Sequence, residues 1–253
     1  MPSPVESLSL AEKYLVELPP ALAGRVMPTG AEIAAWVDHT LLKPEATMEQ
    51  IVKLCQEALH FGFASVCVNP VYVPLAYNYL KDSPVKVCTV VGFPLGATLP
   101  VCKIREAEAS LQAGASEIDM VLAVGLLKSR AYEAVFEDVA GVVEIAHTHH
   151  ALVKVILETS ALTREEKIYA SVLCKNAGAE FIKTSTGFGS GGATVDDVDL
   201  MYRIAAPEVS VKASGGIRTL ADAQAMIQAG ASRLGTSAGV AIVTAALAQG
   251  SGV

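Results

Sequence analysis

Eight short runs rich in β-branched and apolar residues recur along the chain, each followed by a segment of helical character, and no other feature restricts the fold so tightly. The runs are Ala35–Thr40, Ala64–Val68, Val85–Val91, Glu117–Leu122, Leu152–Leu157, Glu180–Ser185, Val209–Ser214 and Ser232–Gly235. The segments that follow them are Thr47–Phe61, Val71–Leu80, Pro100–Ala113, Arg130–His147, Thr163–Ala177, Thr194–Ala205, Leu220–Ala229 and Ser237–Ala248. Strands repeating about every 22 to 35 residues, in a chain near 250 residues, have the pitch and length of a (β/α)8 (TIM) barrel. A doubly wound open sheet also alternates strand and helix, but eight near-equal units without a second compositional zone favour closure. Gln112-Ala113-Gly114-Ala115, Asn176-Ala177-Gly178-Ala179 and Gln228-Ala229-Gly230-Ala231 read as helix stops, each running into the next strand.

No Pro/Ser-rich linker and no block of like charge interrupts this array. The expectation is therefore one barrel domain over 1–253, with 31–253 as the barrel and 1–30 as an extension carrying one extra helix, Ser7–Val16. The 26 acidic against 19 basic residues, a net charge of −7, argue against work on nucleic-acid phosphates, which needs a basic balance. The five cysteines, odd in number and lying mostly in apolar runs, suit a reducing compartment. Neither a signal-peptide start nor about 18 consecutive apolar residues is present, so the expected location is cytoplasmic, away from membranes.

In a barrel, chemistry gathers at the C-terminal ends of the strands. Lys183 and Lys212 lie there on neighbouring strands, each running into small polar residues or glycine, and are expected to face one cavity. A free lysine has a pKa near 10.4, which leaves only about one amine in 2,500 neutral at pH 7. A neighbouring ammonium and apolar walls lower that value and so make a nucleophile for a Schiff base. Lys86 and Lys154, followed by further apolar strand residues, read instead as ion-paired core lysines. Asp119 is a carboxylate within an apolar strand and needs cations. The two lysines are its expected partners, and proton shuttling with Lys212 its expected role. Asp38 is a similar case that His39 or Thr40 can satisfy locally.

Gly215-Gly216 and Gly235-Thr236-Ser237 stand where barrels often bind phosphate through backbone N–H groups and a helix N-terminus. A small phosphorylated substrate follows. Gly187-Phe188-Gly189-Ser190-Gly191-Gly192 formally matches the dinucleotide fingerprint G-x-G-x-x-G, with Glu208 near the place of a ribose-binding acid. It belongs to the sixth unit of an unbroken array, however, not to a first βαβ unit. Ile182 likewise occupies the place of the glycine a P-loop needs. His147, His149 and His150 read as a solvated helix end with no metal-ligand spacing.

Taken in order, Asp38-His39-Thr40-Leu41-Leu42-Lys43-Pro44, Ser65-Val66-Cys67-Val68-Asn69-Pro70, Glu117-Ile118-Asp119-Met120-Val121, Lys183-Thr184-Ser185-Thr186-Gly187-Phe188 and Lys212-Ala213-Ser214-Gly215-Gly216-Ile217-Arg218 resemble the 2-deoxyribose-5-phosphate aldolase family of class I aldolases. The resemblance implies a reversible cleavage of 2-deoxy-D-ribose 5-phosphate to D-glyceraldehyde 3-phosphate and acetaldehyde, in deoxyribose catabolism. It implies Lys183 as the Schiff-base lysine and Lys212 and Asp119 as proton-transfer groups. It further implies Asp38, Cys67, Thr186, Gly187, Gly215, Gly216, Gly235 and Ser237 as substrate- and phosphate-binding positions. No metal or organic cofactor is implied, and the partners are small molecules and further copies of the chain, as a dimer or tetramer. In two respects the sequence departs from the family pattern. Ala238 stands where some members carry a second phosphate-loop serine, and the tail Gly250–Val253 lacks a C-terminal tyrosine.

Overall fold

The computed structural model describes residues 2–20 and 27–250. Eight parallel strands close on themselves in chain order: β1 (Val37–Leu41), β2 (Ser65–Val68), β3 (Lys86–Val91), β4 (Glu117–Val121), β5 (Leu152–Ile156), β6 (Phe181–Lys183), β7 (Ser210–Ser214) and β8 (Arg233–Thr236), with β8 paired back to β1. The (β/α)8 barrel expected from the repeat is the fold observed. Its outer layer is α2 (Met48–Phe61), α3 (Val73–Leu80), α4 (Pro100–Gln112), α6 (Tyr132–Thr148), α7 (Arg164–Asn176), α8 (Val195–Ala205), α9 (Leu220–Ala229) and α10 (Gly239–Gly250). The extra helix α1 (Pro4–Val16) packs against α7, where Asn176 Nδ2 donates to Ser7 Oγ at 2.9 Å. No helix among the described residues is long and apolar enough to cross a membrane.

Local chemistry explains several helix starts. Thr47, Thr163 and Thr219 each accept the N–H three residues on, and Gln50, Glu166 and Asp222 return the bond to the cap backbone. These reciprocal caps satisfy donors that a helix start otherwise leaves open. The three expected helix stops hold, with Gly114, Gly178 and Gly230 at φ of 110°, 91° and 125°. Several boundaries differ from the sequence reading. Ala35 and Trp36 belong to a 3-10 turn, Gly30–Trp36, that delivers the chain into β1. The N-terminal helix starts at Pro4, not Ser7, because Ser3 and Glu6 form a cap there. The expected helix Arg130–His147 is α6, which starts at Tyr132, and it is preceded by a short helix the sequence reading lacked, α5 (Val124–Lys128), with Arg130 left-handed at φ 58° between them. The last helix starts at Gly239, two residues later than expected.

Strand alternation sorts the side chains into two environments. Val66, Val68, Val87, Ile118, Met120, Val153, Val155, Ile182, Val211, Ala213 and Leu234 face the helices in one large apolar core. The alternate positions face the barrel axis, where branched apolar residues usually fill layers. Here much of that axis is charged. Asp38, Glu117 and Asp119 meet Lys154, Lys183, Lys212 and Arg233 in one continuous network. A small apolar group, Leu42, Cys67, Cys88 and Val90, fills the rest beside it.

Candidate active site

Asp119 is the hub of the network. Its Oδ2 accepts from Lys183 and from Lys212, each at 2.7 Å, and its Oδ1 from Lys154 at 2.9 Å. Barrel register dictates this meeting, since Lys183 pairs with Lys212 across β6 and β7 while Asp119 pairs with Lys154 across β4 and β5. Burial alone would raise the Asp119 pKa, but Lys154, Lys183 and Lys212 outweigh it and hold the carboxyl well below its ordinary range. Burial likewise works against charge on Lys212, and the Asp119 and Asp38 carboxylates overcome it, so its pKa is raised. The sequence set two ammonium groups side by side; the structure interposes a carboxylate between them.

Three expectations change here. Asp38 is not satisfied through the side chains of His39 or Thr40; its carboxylate takes Lys212 at 2.5 Å, Arg233 at 2.6 Å and Ser65 at 2.6 Å, while His39 pairs with Glu57. Lys154 is an ion-paired core lysine as expected, bonded to Glu117 at 2.6 Å, but it also belongs to the same hub. Lys86 is not a core lysine: it is the first residue of β3 and exposed.

Above the hub a cavity of about 410 Å³ opens at the C-terminal ends of the strands. Lys183, Thr186, Gly187, Gly215, Gly216, Gly235 and Ser237 line it, so seven of the anticipated positions share one wall system. Lys212, Asp119, Asp38 and Cys67 do not line it; all four are buried. Of the three hub lysines only Lys183 reaches the cavity. Cys67 sits in the apolar group with Leu42 and Cys88.

One end of the cavity is shaped for an anion. Gly215 and Gly216 hold φ of 84° and 82°, a conformation open to glycine and costly for other residues. Ser237 stands just before α10, whose N-terminus favours negative charge. Arg218 and Lys43 also line this space and escaped the sequence reading. Their signal was available, for each is a basic residue a few positions past a strand end. Ala238 is not on the wall; its N–H donates to Thr236 Oγ1 at 2.9 Å. The remaining tail, 251–253, lies outside the described residues.

The fingerprint-like glycines serve close approach between loops. A Cβ on Gly192 would fall 2.3 Å from Gly215 O, and one on Gly189 2.9 Å from the Glu158 carboxyl carbon. Glu208 precedes β7 at the other end of the barrel and pairs with Lys175 at 2.8 Å. His147, His149 and His150 are exposed at the end of α6, with His147 bonded to Glu180.

A closed barrel with a lysine at the cavity floor, a buried acid–base network beneath it and an anion-shaped rim defines an enzyme of lysine-dependent carbonyl chemistry. The DeoC/LacD family aldolase model matches residues 33–247, and the chain belongs to that family. It is 57% identical over 220 residues to the deoxyribose-phosphate aldolase of Halalkalibacterium halodurans, covering 87% of this chain and 98% of that protein. Identity to the deoxyribose-phosphate aldolase of Thermococcus kodakarensis is also 57%, over 217 residues, covering 85% and 97%. The tetrameric deoxyribose phosphate aldolase of Aeropyrum pernix superposes with a TM-score of 0.80 at 34% identity, covering 96% of this chain and 98% of that one.

Proposed function

We propose that this chain is a class I aldolase that reversibly cleaves 2-deoxy-D-ribose 5-phosphate to D-glyceraldehyde 3-phosphate and acetaldehyde through a Schiff base on Lys183. The observation that carries the reading is that Lys183 alone among the hub lysines lines the cavity, while Asp119 and Lys212 lie within one hydrogen bond of it or its partner. The Lys183 amine adds to the C1 carbonyl of the open-chain sugar, and loss of water gives an iminium. Carbon count places the break between C2 and C3, two carbons leaving as acetaldehyde and three as glyceraldehyde 3-phosphate. As that bond breaks, the C3 hydroxyl gives up its proton and the electron pair moves into an enamine. Protonation of the enamine at C2 and addition of water release acetaldehyde and free Lys183.

Lys212, held charged by Asp119 and Asp38, is the proton donor nearest the reacting lysine, and Asp119 keeps both nitrogens in place. Thr186 and Gly187 face the middle of the sugar, and Gly215, Gly216, Gly235 and Ser237 its phosphate, with Arg218 and Lys43 adding positive charge. Asp38 and Cys67 act from below the cavity, as support. The likeness to a tetrameric relative favours a homo-oligomer, and the unpaired cysteines favour a cytoplasmic setting for deoxyribose breakdown. The test is borohydride reduction in the presence of deoxyribose 5-phosphate, followed by intact-mass measurement and peptide mapping. A stable adduct on Lys183 is expected; a folded protein that gains no adduct on any lysine overturns the assignment.

A further inference from the structure

Glu158 lies two residues beyond β5, against the cavity-lining Thr186, in the left-handed region at φ 56°. Few non-glycine residues adopt that conformation, and those that do often serve a site. Its Oε2 accepts both the hydroxyl and the backbone N–H of Thr186, while Oε1 is buried without a partner. Gly189 leaves the space the carboxylate occupies, since a Cβ there would sit 3.0 Å from Oε1. The Thr186 oxygen in turn accepts the Phe188 N–H at 3.0 Å.

With Glu158 as a carboxylate, these bonds set the directions of the Thr186 hydroxyl's hydrogen bonds. A hydroxyl has one proton and two lone pairs. The proton goes to Glu158, one lone pair goes to Phe188, and a single lone pair is left. Thr186 lines the cavity together with Lys183, the last residue of β6, and Gly187, so the remaining lone pair is available to a ligand held there.

We propose that Glu158 is a positioning residue that fixes Thr186 as a hydrogen-bond acceptor toward the substrate, so that the site selects a three-carbon aldehyde phosphate bearing a hydroxyl beside the carbonyl over one without it. The inference rests on the aldolase reading above and names its specificity. A Thr186 free to turn its own proton into the cavity loses this discrimination, because it can pair with an acceptor or with water as readily.

The test follows aldol addition of acetaldehyde to glyceraldehyde 3-phosphate and to 3-oxopropyl phosphate, its analogue lacking the hydroxyl. Glu158→Ala should lower kcat/KM for glyceraldehyde 3-phosphate about three- to tenfold, the range of one neutral hydrogen bond, and leave the analogue within about twofold of wild type. Glu158→Leu fills the space beneath the loop and should do the same if the alanine variant does not fold. Glu158→Gln, whose amide oxygen still accepts from Thr186, should retain the preference. Combining Glu158→Ala with Thr186→Val should cost no more selectivity than Thr186→Val alone. Equal losses on both acceptors, or an unchanged preference in Glu158→Ala and Glu158→Leu, overturn the proposal while the aldolase reading stands. A wild-type protein that adds acetaldehyde to neither acceptor overturns both.

Discussion

Lys183 and Lys212, register partners on adjacent strands, donate to the same oxygen, Asp119 Oδ2, each at 2.7 Å. Two cations thus share one anion at the floor of the cavity, and only one of them reaches the space above. A buried charge that loses its partner is costly, whereas a matched set can be neutral. The hub therefore ties the reacting lysine to the integrity of the barrel.

Lys183→Met should abolish turnover and borohydride trapping while the protein still folds. The loss removes one of three cations from Asp119 and leaves Lys154 and Lys212 in place. Circular dichroism that matches wild type, with activity down at least about 1,000-fold, is the expected pair of results. Retained turnover contradicts the assigned role.

Asp119→Asn removes the anion itself and should be the more damaging change. It takes the carboxylate away from Lys183 and leaves Lys154 with Glu117 and Lys212 with Asp38, and breaking a buried pair typically costs about 3–5 kcal/mol. Denaturant unfolding should show that loss in the midpoint. A variant as stable as wild type would mean that the lysines give up their charge together.

Stability should fall off in acid. Asp119 and Asp38 have folded pKa values below their unfolded ones, each because burial is outweighed by neighbouring cations. Their contribution is complete above the unfolded value of about 4 and is lost as pH drops toward the folded value, since the unfolded chain binds protons first. Lys154 and Lys212 are raised in the folded state, so their contribution is complete below about pH 10.4 and fades only above it. Melting temperature should hold steady between these limits and drop below about pH 4. Asp38→Asn should start lower and lose less between about pH 5 and pH 3.

Ser237→Asp sets a negative charge on the cavity wall at the start of α10. The KM for deoxyribose 5-phosphate should rise at least about tenfold, through repulsion of the phosphate. Cleavage of unphosphorylated deoxyribose should change little. Equal effects on both sugars would move the phosphate elsewhere.

Thiol titration of the native protein should detect one fast-reacting cysteine. Cys102 is exposed, whereas Cys55, Cys67, Cys88 and Cys174 are buried, and burial pushes the Cys55 thiol up to about 11. All five should react in denaturant. Rapid native reaction of a second thiol would show that the barrel interior opens.

Much of this molecule was readable before any coordinates. The eight strand runs were legible because short β-branched, apolar runs and glycine stops are local signals, and they put Lys183 and Lys212 on neighbouring strands and Asp119 inside a third. What escaped is what register and depth decide. Lys86 and Lys154 look alike in sequence, each followed by apolar strand residues, yet one begins β3 in solvent and the other bonds Glu117 and Asp119 on the axis. Arg233 sits beside Asp38 only because the barrel closes β8 onto β1, a pairing across 195 positions. Glu158 is legible as a polar residue past a strand end, but its bond to Thr186, 28 positions on, is not. The short helix α5 and the left-handed Arg130 that follows it escaped the sequence reading.

An axis filled by opposite charges constrains how such a barrel can change over generations. A loop at the rim is free to vary, because its side chains meet solvent and ligand. A substitution at Asp38, Glu117, Asp119, Lys154, Lys212 or Arg233 alters a charge whose counterpart lies on a neighbouring strand. A lone change therefore costs stability unless its counterpart changes too, acid with base. Such an axis constrains its residues as a set, whereas the mouth is where specificity can be altered at little cost to the centre.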